Sequence, residues 1–211
     1  IESKSIGIAY TYNEPTIWYE FVFDCAERFH DKKLKNVLVT NGYINKKPLE
    51  EIVNFIDAAN VDLKGFTEDK YRLLGGSLKP VLNTIEFLIN KGVHVEITHL
   101  AVPNYTSDYD DFRELCKWLS NLNRDIPIHI SRYFPTYKLN LPPTSIDFLE
   151  HLYEIAKSCL SYVYLGNIPY KNDSYCPYCG AVLVKRMGYS VECFMGDSRC
   201  PYCGKDLYFL L

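Results

Sequence analysis

The sequence predicts an α/β protein, a parallel sheet or barrel under helices, followed by a small cysteine-rich module, and three observations predict it. Short runs rich in Val, Ile and Thr alternate with longer stretches of helical period across short loops, as in successive βα units. Three of the short runs are polar on one face only, so one face meets helices and the other an interior that holds charge. The end of the chain abandons this pattern for two near-identical cysteine knuckles and many turn residues.

The elements follow in order. Ile6 to Tyr12 reads as a strand, and Pro15 then sits where a helix accepts it, in the first turn. A helix to about His30 carries Trp18, Phe21, Val22, Cys25 and Phe29 at helical spacing. Asn36 to Thr40 is the next strand, closed by Asn41-Gly42, and Pro48 to Ile56 the next helix. A strand over Ala59 to Lys64, helical material through Lys91-Gly92 and a strand over Val93 to Val102 continue the alternation. Asp108 to Leu122 is helical, Ile126 to Phe134 a strand, Ser145 to Leu160 a helix and Ser161 to Gly166 a last short strand. Composition changes near Pro169 to Ser174, which predicts a boundary between residues 1–170 and 171–211.

At 211 residues the chain holds one substantial domain and an appendage. A hydrophobic share of 47% with 23% charged residues excludes a disordered or low-complexity chain. The net charge of -3 gives no field for a polyanion, so nucleic acid is disfavoured as a partner. No apolar run approaches the roughly 18 residues of a membrane span, and no signal peptide is visible, so a cytoplasmic protein is expected. In that reducing compartment closely spaced cysteines are metal ligands or redox groups before they are disulfides.

Cys176-Pro177-Tyr178-Cys179-Gly180 and Cys200-Pro201-Tyr202-Cys203-Gly204 have zinc-ribbon spacing. Four thiolates close a tetrahedral site with no open position, which makes it structural, and zinc and rubredoxin-like iron both suit it. About 40 residues have little core of their own, so the metal carries much of the folding energy. Cys25, Cys116 and Cys159 lie on apolar helix stripes and read as core residues, and Cys193 as packing inside the ribbon.

In the strands, Val61 and Leu63 alternate with Asn60, Asp62 and Lys64. Val93, Val95 and Ile97 alternate with His94, Glu96 and Thr98, and Ile126, Ile128 and Ile130 with His129 and Ser131. Burying such charges costs several kcal/mol each (about 3–5) unless they are paired or face a wet or ligand-filled cavity. A ligand site at the strand C-termini is therefore expected, with Thr40-Asn41-Gly42 and Tyr12-Asn13-Glu14-Pro15 on the same rim.

Taken in order, Ala9 to Thr16, Val39-Thr40-Asn41-Gly42-Tyr43, Val61 to Gly65, Gly92 to Glu96, Ile128 to Pro135 and the two knuckles resemble the radical S-adenosylmethionine (SAM) superfamily. Within it the chain is similar to pyruvate formate-lyase-activating enzymes, and most of all to the AmmeMemoRadiSam radical SAM branch. The resemblance implies a (βα)6 partial TIM-type barrel that binds SAM and a four-iron four-sulfur (4Fe-4S) cluster, and a 5′-deoxyadenosyl radical that abstracts hydrogen. It implies SAM contacts from Glu14, Thr40, Asn41, Asp62 and Lys64, with Lys64 meeting the SAM carboxylate; the family's SAM-contacting histidine near the last strands corresponds to Phe134 here, and His129, close by, is the candidate for that contact. His94, Glu96, Thr98, Ser131 and Arg132 remain as a candidate substrate pocket, and a protein is a candidate substrate. Further features depart from the family pattern. Tyr12-Asn13 replace the glycines of a Gly-Gly-Glu-Pro stretch, and Val39 replaces an aspartate. No three cysteines have the Cys-x3-Cys-x2-Cys spacing of the cluster loop, so the barrel is expected to lack its first strand and helix. The expected function is that of the C-terminal part of a radical SAM enzyme, inactive alone. The alternative is a non-catalytic zinc-ribbon binding module on a degenerate barrel.

Overall fold

The structure, a computed structural model, describes residues 5–169, 172–188 and 190–210. By compactness the chain divides into Ile1–His99 and Leu100–Leu211.

In the first unit β1 (Gly7–Tyr10), β2 (Lys35–Thr40), β3 (Ala58–Asp62) and most of β4 (His94–Ala101) pair in parallel, with registers such as Tyr10↔Leu38, Thr40↔Val61 and Asp62↔Thr98. Between them run α1 (Tyr19–Asp31), α2 (Lys46–Ile52), α3 (Glu68–Leu73) and α4 (Leu78–Asn90). Local chemistry sets the ends of these helices. Pro15 opens a 3-10 turn, Pro15–Trp18, ahead of α1, with Glu14 as its cap. Thr67 caps α3, and the Glu68 carboxylate accepts from the Leu78 and Lys79 amides at the start of α4, where a negative charge is stabilised. Val61, Leu63, Val95 and Ile97 are fully buried, while Asn60, Asp62, Lys64, His94, Glu96 and Thr98 alternate with them and stay half-buried. The one-sided polarity expected of these strands is thus present, and Thr98 donates to Asn60 across the β3–β4 register.

Two buried polar residues tie this half together. The Asn36 side chain accepts from the Tyr10 hydroxyl and donates to the carbonyls of Ala26 and Phe55, each at 2.9 Å, joining β1, α1 and β2. His99 is buried on β4, and its Nδ1–H donates to the Leu63 carbonyl at 2.9 Å, which fixes the neutral tautomer. Burial lowers its pKa from 6.5 to about 4, and the charges of Lys70 and Lys64 push the same way. The unfolded chain therefore takes up a proton that the folded chain refuses. Stability is full above pH 6.5 and is lost as pH falls toward 4, by about 2 kcal/mol at pH 5. Urea midpoints measured at pH 7 and pH 5 should show this loss, and His99→Gln should flatten the dependence by that amount. Equal slopes in the two proteins would overturn the assignment.

The second unit holds α5 (Tyr109–Leu122), β5 (Ile128–Arg132), α6 (Ile146–Cys159) and β6 (Val163–Gly166). An antiparallel sheet of β7 (Ser174–Tyr175), β8 (Val182–Met187) and β9 (Ser190–Cys193) follows. Asp108 and Ser145 cap α5 and α6 through the Asp111 and Phe148 amides. β5 and β6 pair in parallel, His129 opposite Tyr164 and Ser131 opposite Gly166. Strand order in the larger sheet follows chain order from β1 to β6, the architecture of a partial α/β barrel. Among the described residues no helix is long and apolar enough to cross a membrane.

Some details go beyond or differ from the sequence reading. The cysteine-rich module is tied to β6 within the second unit. The Asn172 amide accepts from the Leu165 N–H and donates to the Leu165 carbonyl, and Tyr164 bonds Ser174. Phe21 is 62% exposed, since the 3-10 turn rotates the start of α1 and Val22 and Ala26 take the inward positions. Cys116 is buried, but Cys25 and Cys159 are only half-buried, and Cys193 is exposed on β9 with its thiol near the Met195 carbonyl.

Candidate functional site

Parallel topology carries every strand's C-terminal end to the same side, so the loops after β1, β2 and β3 can share a site. The Glu14 carboxylate is the hub. One oxygen accepts from the Thr40 hydroxyl at 2.6 Å and from the Thr16 amide at 3.3 Å, and the other from the Asn41 amide at 2.7 Å. Gly42 lets the β2 loop turn in beside it: its φ is +72°, and a Cβ there would lie 2.9 Å from Val61 Cγ1. Thr40 lies on the helix-facing side of β2 and is buried, so its hydroxyl serves to hold Glu14 and the Gly42 amide.

Asp62 closes β3, and Lys64 follows two residues later on the same side. Lys64 Nζ donates to Asp62 Oδ2 at 2.6 Å. Glu14, Asn41, Asp62 and Lys64 line one cavity of about 380 Å³ with Tyr43, Tyr71 and others. A second cavity of about 350 Å³ is lined by the same four residues with Thr11, Tyr12, Asn13, Val39 and Thr40. The five rim residues expected of this unit are therefore brought together. Tyr71 was not singled out in the sequence. It is buried, accepts from the Lys64 amide, and burial raises its pKa to about 12, so it stays a neutral phenol. Its place in the short α3 helix gave no sign of this.

The donor set suits the two ends of an α-amino acid. Glu14 has about four lone-pair sites, three of them used, which leaves one for an ammonium. Lys64 has three donors and gives one to Asp62, which leaves two for a carboxylate. These residues fit the methionine part of SAM.

The other candidate residues are placed as follows. In the first unit His94 Nε2 lies 3.3 Å from Glu96 Oε1, on the face that also carries Thr98 and Asn60. In the second unit the His129 ring stacks on Tyr164 with centroids 5.2 Å apart. Ser131 occupies the room left by Gly166, where a Cβ would come within 2.6 Å of its hydroxyl. Arg132 donates to the Thr144 carbonyl and lies over the Phe134 ring.

The four knuckle cysteines form a metal-binding group. Their Sγ atoms all lie within 4.8 Å of one another, and the Cys176–Cys203 and Cys179–Cys200 pairs stand at 3.7 Å. A tetrahedron with metal–sulfur bonds of about 2.3 Å has edges of about 3.8 Å, so the cage already has the size of a zinc or iron site. Gly180 and Gly204, at φ +73° and +70°, close each knuckle by donating to the carbonyls of Cys176 and Cys200. Cys176 and Cys200 are buried, while Cys179 and Cys203 face solvent. Among the described residues no other group of cysteines could hold a cluster, so the residues present do not fit the 4Fe-4S group, and none of its chemistry follows from them.

A protein of Methanocaldococcus jannaschii carried as uncharacterized is 41% identical over 185 residues, which are 85% of this chain and 55% of that protein. The pyruvate formate-lyase-activating enzyme of Clostridium pasteurianum is 26% identical over 64% of this chain and 59% of its own length. The chain thus spans about half the length of the curated relatives it matches. The crystal structure of a domain of the activating enzyme from Bacteroides vulgatus superposes with a TM-score of 0.65 at 16% identity, over 76% of this chain and 99% of that one. The family implies SAM and an iron–sulfur cluster as cofactors. Its model matches residues 2–119, the span that contains the Glu14, Asp62 and Lys64 rim, and the chain belongs to the radical SAM superfamily.

Proposed function

We propose that this chain is the C-terminal part of an activating-enzyme-like radical SAM enzyme, with Glu14, Thr40, Asn41, Asp62 and Lys64 of the first unit holding the amino-acid end of SAM; His129, in the second unit, is a separate candidate for a ligand contact. The observation that carries this reading is that Glu14, Asn41, Asp62 and Lys64 line the same cavity with one ammonium acceptor and two carboxylate donors to spare. In this reading the chain's own residues would orient the amino and carboxyl groups of SAM, and the radical chemistry would need a cluster held by residues outside those described. His94, Glu96 and Thr98 of the first unit and, separately, Ser131 and Arg132 of the second are proposed substrate contacts, and a protein is the proposed substrate class, supported by the similarity to a Clostridium pyruvate formate-lyase-activating enzyme. The proposed boundary between barrel and ribbon is at residue 170, the ribbon metal is zinc or iron, and the setting is cytoplasmic.

A second reading, a non-catalytic ribbon module on a degenerate barrel, is favoured by the lack of a second cysteine group among the described residues. Anaerobic reconstitution separates the two. This chain alone should yield no 5′-deoxyadenosine on reduction with SAM, while a protein that adds a Cys-x3-Cys-x2-Cys segment ahead of Ile1 should. No product from either would leave the binding-module reading standing.

A further inference from the structure

The module that carries the four cysteines grips the last strand of the sheet, and the grip leads to His129. Among the described residues β6 is last in the strand order, so one row of its backbone groups has no strand partner there. Asn172 supplies that partner to Leu165, accepting from its N–H at 2.9 Å and donating to its carbonyl at 2.7 Å. One residue earlier in β6, the Tyr164 hydroxyl bonds the Ser174 hydroxyl at 2.7 Å, and Ser174 is 1% exposed and two residues before the ligand Cys176. Arg186 of β8 locks the joint. Its Nη1 donates to the Ser174 hydroxyl and the Asn172 carbonyl, both at 2.8 Å, and its guanidinium lies over the Tyr164 ring. Tyr164 also stacks on His129, its register partner in β5.

We propose that Tyr164 is a positioning residue for His129 and that metal in the four-cysteine group sets it through Ser174. This deepens the reading of His129 given above and rests on it for its functional meaning. The physical basis is the weakness of the module without metal. Its core is Cys176, Leu183, Val184, Cys200 and Leu207, with Met195 and Phe209 packed partly against it, so two of five core residues are themselves ligands. With the ligands uncaged, Ser174 and Arg186 lose the fixed β7–β8 pairing that aims them, and the hydroxyl contact that orients Tyr164 is no longer held in place.

The test reads the histidine directly, in the full chain and without SAM, so its failure and the failure of the SAM reading are distinguishable. The Cε1–H resonances of 13C-labelled histidines are recorded at one pH with zinc bound, after chelation, and after zinc is restored, alongside exchange of the Leu165 amide. His129 should shift on chelation and return with zinc, His151 on the outer helix should not, and the Leu165 amide should exchange at least tenfold faster. Tyr164→Phe, which keeps the stacked ring and lacks the hydroxyl, should bind zinc as before. It should displace the His129 resonance with metal bound and at least halve its response to chelation. If chelation unfolds the whole chain, the Tyr164→Phe spectrum with zinc bound decides. A His129 resonance unmoved in that spectrum, or unmoved by chelation while the ribbon melts, overturns the proposal.

Discussion

Cys176→Ser is expected to strip the metal and melt residues 172–210 while α5, α6 and the β5–β6 pair stay folded. The module has three buried aliphatic side chains, Leu183, Val184 and Leu207, at about 1.5–3 kcal/mol each for full burial. Ordering its backbone costs about 1–2 kcal/mol per residue. The balance is unfavourable without the metal, whose binding in comparable small sites contributes about 10–16 kcal/mol. Cys176 and Cys200 sit inside the core, so serine there both loses a ligand and buries a hydroxyl. Cys193→Ser is the control, since that thiol is exposed and outside the group. Metal analysis together with limited proteolysis reads the result. About one metal per chain is expected for the parent and for Cys193→Ser, and none, with cleavage inside 172–210, for Cys176→Ser. Equal protease resistance of the Cys176→Ser ribbon would refute a structural role for the metal.

Legibility followed the range of the interactions. Strand and helix alternation is written locally, and the expected elements appear within a few residues, because period-two and helical patterns need only the chain itself. The knuckles are legible for the same reason: two ligands and the turn that presents them lie within five residues. The rim was legible as residue types but not as a bonding pattern. That Glu14 is held by Thr40 and Asn41 depends on loops brought together across the sheet. His99 and Asn36 were invisible because a buried polar group in a strand looks like any polar residue until its partners, 36 and 26 positions away for Leu63 and Tyr10, are placed. The grip of Asn172 on Leu165 was missed for a related reason. A composition change marks where chemistry changes, and says nothing about whether the two sides pack.

Lys64→Ala and Glu14→Ala should both weaken SAM binding, and their effects on stability should separate a ligand contact from a scaffold. The Lys64–Asp62 pair is more than a third exposed on both sides, so its own contribution to folding is about 0–1 kcal/mol. Removing Lys64 should therefore leave the melting temperature nearly unchanged, while loss of a charged contact to the SAM carboxylate costs about 1.5–3 kcal/mol, roughly 10- to 150-fold in affinity. Glu14 differs, because three donors converge on its carboxylate and two of them are backbone amides at the turns after β1 and β2. Glu14→Ala leaves the Asn41 amide and the Thr40 hydroxyl without their acceptor, so it should lose about 2–4 kcal/mol of stability as well as affinity. Glu14→Gln keeps an acceptor oxygen and should recover most of the stability, but not the attraction for an ammonium. Calorimetric titration of SAM into the protein bearing the cluster segment, paired with thermal melts of the same variants, gives both quantities. Unchanged SAM affinity in Lys64→Ala and Glu14→Gln, with both folded, would mean that this rim is a structural joint between βα loops and that SAM is held elsewhere.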